Sequence, residues 1–101
     1  MKEYRHPAMS RVTLVTVLQA LADPIRLRIV RQLLDAPGQE FACNEFPIKV
    51  SKATTSHHFQ ILREAGLIRT RMDGTKAMTC LREDDLAKRF PGLVDFLKQV
   101  R

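Results

Sequence analysis

Lys52, Ala53, Ser56, His57, Gln60 and Arg63 are the residues whose types and spacing best suit a chemical task. At about 100° per residue they gather on one side of a helix. Small side chains let a helix press into a major groove. Serine and glutamine can then reach base edges, and lysine and arginine can reach phosphates. The bland reading of the same face is a solvated surface of mixed polar residues. Composition alone weighs the two about equally.

Other reactive side chains offer less. His57 and His58 are adjacent, so on a helix they diverge by about 100° and cannot chelate one ion together. His58 leans toward the core, where a hydrogen bond would satisfy it. Cys43 and Cys80 make neither a disulfide framework nor a zinc spacing, which fits a reducing cytoplasm. Cys43 is the one candidate for a metal or redox effector, against its reading as a small buried hydrophobe. His6 falls in a polar tail. No nucleophile stands beside a base at a recognisable spacing and no glycine-rich phosphate loop exists, so an enzyme is not expected, nor a cofactor.

The elements that must position these residues follow from caps and periodicity. Ser51 suits an N-cap and Gly66 the residue just past a helix end, which brackets one helix. Thr55, His58, Phe59, Leu62 and Ala65 form its inner face. Beyond Gly66 the period falls from 3.6 to 2. Leu67–Met72 and Thr75–Leu81 read as strands joined at Asp73-Gly74, a strong hairpin signal. Arg69, Arg71 and Lys76 ride on that hairpin, which would lie on the backbone or minor groove beside the helix: a winged helix in outline.

Upstream, a helix from Ser10 or Arg11 to about Ala22 is apolar on more than one face. Asp23-Pro24 restarts the chain as a second helix, to Asp35 or Ala36, with Arg26, Arg28 and Arg31 off its core stripe and read as exposed. Ala36–Gln39 is a turn, and Phe41, Cys43 and Phe46 suggest one short helix stopped before Pro47. Glu83-Asp84-Asp85 opens another helix, broken at Phe90-Pro91-Gly92. Leu93, Val94, Phe96, Leu97 and Val100 follow as an apolar stripe with little domain left to cover it. The fold class is mainly α (α+β). Residues 1–9 are expected to be loosely ordered, and residues 10–101 to form one domain.

At 101 residues and 45% hydrophobic, the chain has the size and composition of one globular domain. Its formal net charge of +6 favours polyanionic partners. The excess is local: residues 51–82 hold six basic side chains against two acidic ones, whereas residues 83–101 hold four of each. Ala20-Leu21-Ala22 matches a leader-cleavage pattern, but Thr13, Thr16 and Gln19 interrupt the apolar run before it. No apolar run is long enough to span a membrane.

In their order and spacing these residues resemble the ArsR/SmtB winged-helix repressors. The resemblance covers about residues 12–82. LADPIRLRIVRQLL (Leu21–Leu34) looks like the family's second helix, and SKATTSHHFQILREAGLIRTRMDGTK (Ser51–Lys76) like its recognition helix and wing. The resemblance implies binding to double-stranded DNA, with Lys52, Ala53, Thr54, Ser56, His57 and Gln60 at or near it and Arg69, Arg71 and Lys76 on the wing. It implies a homodimer joined through the first and last helices, here Leu14, Val17, Leu18 and Leu21 with Leu93, Phe96, Leu97 and Val100. It also implies release by an inducer, often a metal. Yet the stretch that carries C-x-C in many members reads Phe41-Ala42-Cys43-Asn44-Glu45, and residues 83–101 hold no histidine, so both usual metal sites are absent or incomplete. The alternatives are a winged helix that binds protein alone or, with no exposed aromatics on the strands for base stacking, the weaker case of an RNA module.

Overall fold

A computed structural model describes residues 3–100. A 3-10 turn (Met9–Arg11) precedes α1 (Leu14–Leu21) and α2 (Pro24–Asp35). A short strand, β1 (Phe41–Ala42), runs into a second 3-10 turn (Cys43–Glu45), followed by α3 (Lys52–Glu64). The hairpin β2 (Ile68–Asp73) and β3 (Lys76–Leu81) leads to α4 (Glu83–Arg89) and α5 (Leu93–Gln99). No helix among the described residues is long and apolar enough to cross a membrane.

The helix boundaries have local causes. Asp23 accepts from the backbone N–H groups of Ile25 and Arg26, both at 3.0 Å, and Pro24 follows it at the first helical position. These bonds, the one from Arg26 first, hold the Asp23 carboxyl below its ordinary range. Ser51 Oγ accepts from Thr54 N at 3.1 Å and caps α3. At its far end Gly66 turns left-handed at φ +82°, and the N–H groups of Gly66 and Leu67 donate to the carbonyls of Arg63 and Leu62.

Two sequence expectations are corrected. The first helix begins at Leu14, not Ser10 or Arg11, because Thr13 Oγ1 accepts from Thr16 N and stops the helix there. Val12 leaves the helical path to pack beside Gly66, where a Cβ would lie 2.5 Å from Val12 Cγ2. Residues 41–45 are a strand and a 3-10 turn, not one short helix. Phe41 and Ala42 pair antiparallel with Thr79 and Met78, so the sheet has three strands in the order β1-β3-β2. Phe46 then stacks edge-on against Phe41 and Phe59, with centroids 5.7 and 5.2 Å apart, which ties this segment to α3.

The core is one cluster. Val17, Ile29, Val30, Leu33, Leu62, Leu67, Ile68 and Leu86 are almost completely withdrawn from solvent. Residues 3–8 form no helix or strand, yet they make specific contacts. His6 Nε2 accepts from Thr70 N at 2.9 Å, on an edge strand of the sheet. Pro7 O accepts from Arg82, and the Tyr4 ring lies 4.5 Å beneath the Arg63 guanidinium.

Candidate nucleic-acid interface

The exposed side of α3 carries Lys52, Ala53, Thr54, Ser56, His57, Gln60 and Glu64, while His58, Phe59 and Leu62 point into the protein. Sequence periodicity therefore divides this helix correctly. After Lys52 the exposed side chains are small as far as Ser56 and longer from His57 onward. Gln60 Nε2 donates to Glu64 Oε1 at 3.0 Å, so its amide is already oriented along the helix surface. Thr54 sits in the cap, its hydroxyl accepting from Ser51 Oγ at 2.9 Å. Arg63 is half-buried over Tyr4.

Behind this surface the helix is pinned by an arginine that sequence reading left on the exterior. Arg26 reaches from α2 to donate to Ala20 O at 2.6 Å, to Gln19 O at 3.4 Å and to His58 Nδ1 at 3.3 Å. It links α1, α2 and α3. His58, buried at 8% exposure, is satisfied by this bond. Arg31 likewise donates to the carbonyls of Leu97 and Val100 at the end of α5, and Arg89 to Val12 O. No periodicity argument separates such arginines from exposed ones, since the signal is a distant carbonyl.

The hairpin is placed beside α3, but its arginines face elsewhere. Ile68 and Thr70 are buried, and Arg69 and Arg71 project from the opposite sheet face. Arg71 is gripped by both oxygens of Glu40, at 2.6 and 2.8 Å. Arg69 pairs with Asp85 at 3.3 Å. Both stay more than half exposed on the hairpin, each paired with a carboxylate at the surface. The Arg71 hydrogen bond holds the Glu40 carboxyl below the usual carboxylate range. Lys76, beside Gly74 at the hairpin tip, is exposed.

The comparisons with known proteins agree with this geometry. The profile of the helix-turn-helix domain family matches residues 21–71 of the 101. The chain is 41% identical over 83 residues, 80% of its length and 82% of the relative's, to the uncharacterized HTH-type transcriptional regulator YceK of Bacillus subtilis. It is 37% identical over 79 residues to the arsenical resistance operon repressor of Staphylococcus xylosus, covering 77% of this chain and 74% of that one. The chain belongs to the ArsR/SmtB family. Among solved structures, the transcriptional repressor BigR from Xylella fastidiosa superposes with a TM-score of 0.64 at 29% identity, covering 83% of this chain and 81% of that one. The protein is a winged helix-turn-helix, DNA-binding transcriptional regulator.

Within this ArsR/SmtB fold, the remaining candidates separate. Among the described residues, no three His, Cys, Asp or Glu side chains cluster in a way that would hold a metal ion. Burial pushes the thiols of both Cys43 and Cys80 up, which keeps them protonated and poorly nucleophilic. Of the residues expected at a subunit interface, Leu14, Leu18, Phe96 and Val100 are exposed, at 48, 50, 60 and 44%, and Leu93 and Leu97 are half-buried. Val17 and Leu21 instead lie in the protomer's own core, with 0 and 8% exposure. Val15, at 64%, was not singled out for the interface, though it sits beside Leu14.

Proposed function

We propose that this regulator is a repressor that binds an inverted-repeat operator as a homodimer and leaves it when an inducer binds. The observation that carries the reading is the pairing of two surfaces. One is the exposed face of α3, with Lys52, Ala53, Ser56, His57 and Gln60 presented outward. The other is the set of large apolar side chains left uncovered on α1, on α5 and just past its end: Leu14, Val15, Leu18, Phe96 and Val100. Both helices pack against α2, so a second copy covering them would fix the two recognition helices relative to each other.

In this reading α3 enters the major groove, Gln60 and Ser56 address base edges, and Lys52 and Lys76 address phosphates on either side. Arg69 and Arg71, held by carboxylates, take a lesser part. Two-fold symmetry sets half-sites one helical turn, roughly 34 Å, or a multiple of it apart. That relatives carry the word repressor in their names supports the direction of regulation.

The test combines sedimentation with footprinting on the DNA upstream of its own gene. A dimer protecting two symmetric half-sites is expected. A monomer, or no protection at low salt, would instead favour the protein-binding alternative. Repeating the titration with zinc, arsenite, peroxide and reductant sorts the class of signal.

A further inference from the structure

A cavity of about 150 Å³ lies between α3 and the inner face of the sheet, and no step of DNA binding uses it. Ser56, Gln60 and Arg63 form its helix wall, Thr70 and Thr79 its sheet wall, and the Tyr4 ring lies alongside Arg63. Its volume matches that of an interior site known to take up benzene. Its lining is mixed: the rings of Phe59 and Tyr4 and the methyl of Ala77 supply apolar surface.

Its polar groups are underused. Arg63 is half-buried, and its guanidinium, which lies over the Tyr4 ring, donates to no acceptor among the described residues. A guanidinium with open N–H positions in a partly enclosed site matches a carboxylate. The Thr79 hydroxyl is wholly buried, and its one partner, Thr70 Oγ1, is 3.5 Å away, at the outer limit of a hydrogen bond. The Thr70 hydroxyl, the less buried of the two, can turn toward a ligand oxygen.

We infer that this cavity binds a small planar aromatic carboxylate, the ring against Phe59 and Tyr4 and the carboxylate on Arg63. The inference rests on the DNA-binding reading for its consequence. Ser56 and Gln60 belong at once to the cavity wall and to the recognition face. A bound carboxylate places a negative charge beside that face, neutralises Arg63 and lowers affinity for DNA. The cavity is thus the inducer site.

Benzoate is the probe, with benzamide as its neutral match and inorganic phosphate as a ringless anion. Benzoate should raise the melting temperature of the free protein and shift the amide signals of Thr70 and Thr79. Benzamide and phosphate should bind at least tenfold more weakly. Arg63→Gln should lose benzoate at least tenfold. Ala77→Leu, which fills the cavity from the sheet side, should lose benzoate but keep DNA binding, and its complex should no longer be released. Equal binding of benzamide, or full benzoate binding by Ala77→Leu, would overturn the site. A protein that binds operator but ignores millimolar benzoate would overturn it too, leaving the DNA-binding reading intact. Benzoate binding without any DNA binding would instead keep the site and remove its role as inducer site.

Discussion

Glu40, just ahead of β1, grips the guanidinium of Arg71 on β2 with both carboxylate oxygens. The pair crosses the central strand β3 and sits on the sheet face turned away from α3. A wing arginine that reads in sequence as a phosphate contact thus already has a carboxylate partner at the protein surface, with which phosphate would have to compete. Arg71→Ala should then change operator affinity less than twofold. Lys52→Ala should flatten the plot of log affinity against log salt by about 0.9 units of slope, the signature of one lost phosphate contact on duplex DNA. A salt titration of both variants on one labelled duplex distinguishes them.

Gln60 and Glu64 form the second informative pair. Gln60→Ala should relax preference at one base position, costing about 1–3 kcal/mol on the preferred base and little on others. Glu64→Gln removes a carboxylate from a face that approaches a polyanion, and should tighten binding to all sequences alike. A panel of single-base operator variants reads both effects. Uniform loss for Gln60→Ala would remove it from base recognition.

Arg26 should matter to stability more than to charge. It satisfies two carbonyls ending α1 and the His58 ring behind the recognition helix. Arg26→Ala should cost about 1–3 kcal/mol in urea unfolding, since buried acceptors lose a charged donor. Arg26→Lys should rescue little, because an ammonium cannot span the same fork of acceptors.

Gly66 carries two constraints at once, a left-handed backbone and the side of Val12. Gly66→Ala should destabilise the protein by about 1–3 kcal/mol, from backbone strain and displacement of Val12. Val12→Ala in the same background should recover part of that loss. Additive effects in the double-mutant cycle would show that the two residues do not press on each other.

His6 supplies a pH dependence of known sign. Burial lowers its pKa first, with Arg69, Arg82 and Arg63 adding to the effect, and its neutral Nε2 accepts the N–H of Thr70. A histidine with a lowered folded-state pKa contributes stability that is complete above its unfolded value, near 6.5, and is lost as pH falls through the folded one. Wild type should therefore lose stability below about pH 6.5 more steeply than His6→Ala, whose curve lacks this contribution. Parallel curves from thermal melts between pH 5 and 8 would show that the arm is not held this way.

These relationships also mark how far the chain could be read before folding. α2 and α3 were legible because their caps, Asp23-Pro24 and Ser51 with Gly66, act within a few residues, and because 3.6-residue periodicity sorts His58 from His57. The hairpin was legible from Asp73-Gly74. β1 was not, since a two-residue strand exists only through Phe41 and Ala42 meeting Thr79 and Met78. The arginines resisted for the same reason: Arg26, Arg31, Arg82 and Arg89 are placed by carbonyls and carboxylates remote in sequence. Val17 and Leu21 share a helix with Leu14 and Leu18, and only the packing of α2 separates inner from outer. The contacts of Tyr4 and His6 left no periodic trace at all.

The most direct test of the recognition surface is operator affinity of Ala53→Asp. Ala53 is exposed in the first turn of α3, where an aspartate favours the helix dipole, so folding and self-association should be unchanged. In the groove the same carboxylate meets phosphates and base-edge acceptors at closest approach. Operator binding should fall at least a hundredfold with the melting temperature held or raised. Undiminished binding by a folded Ala53→Asp protein would contradict the placement of α3 in the groove.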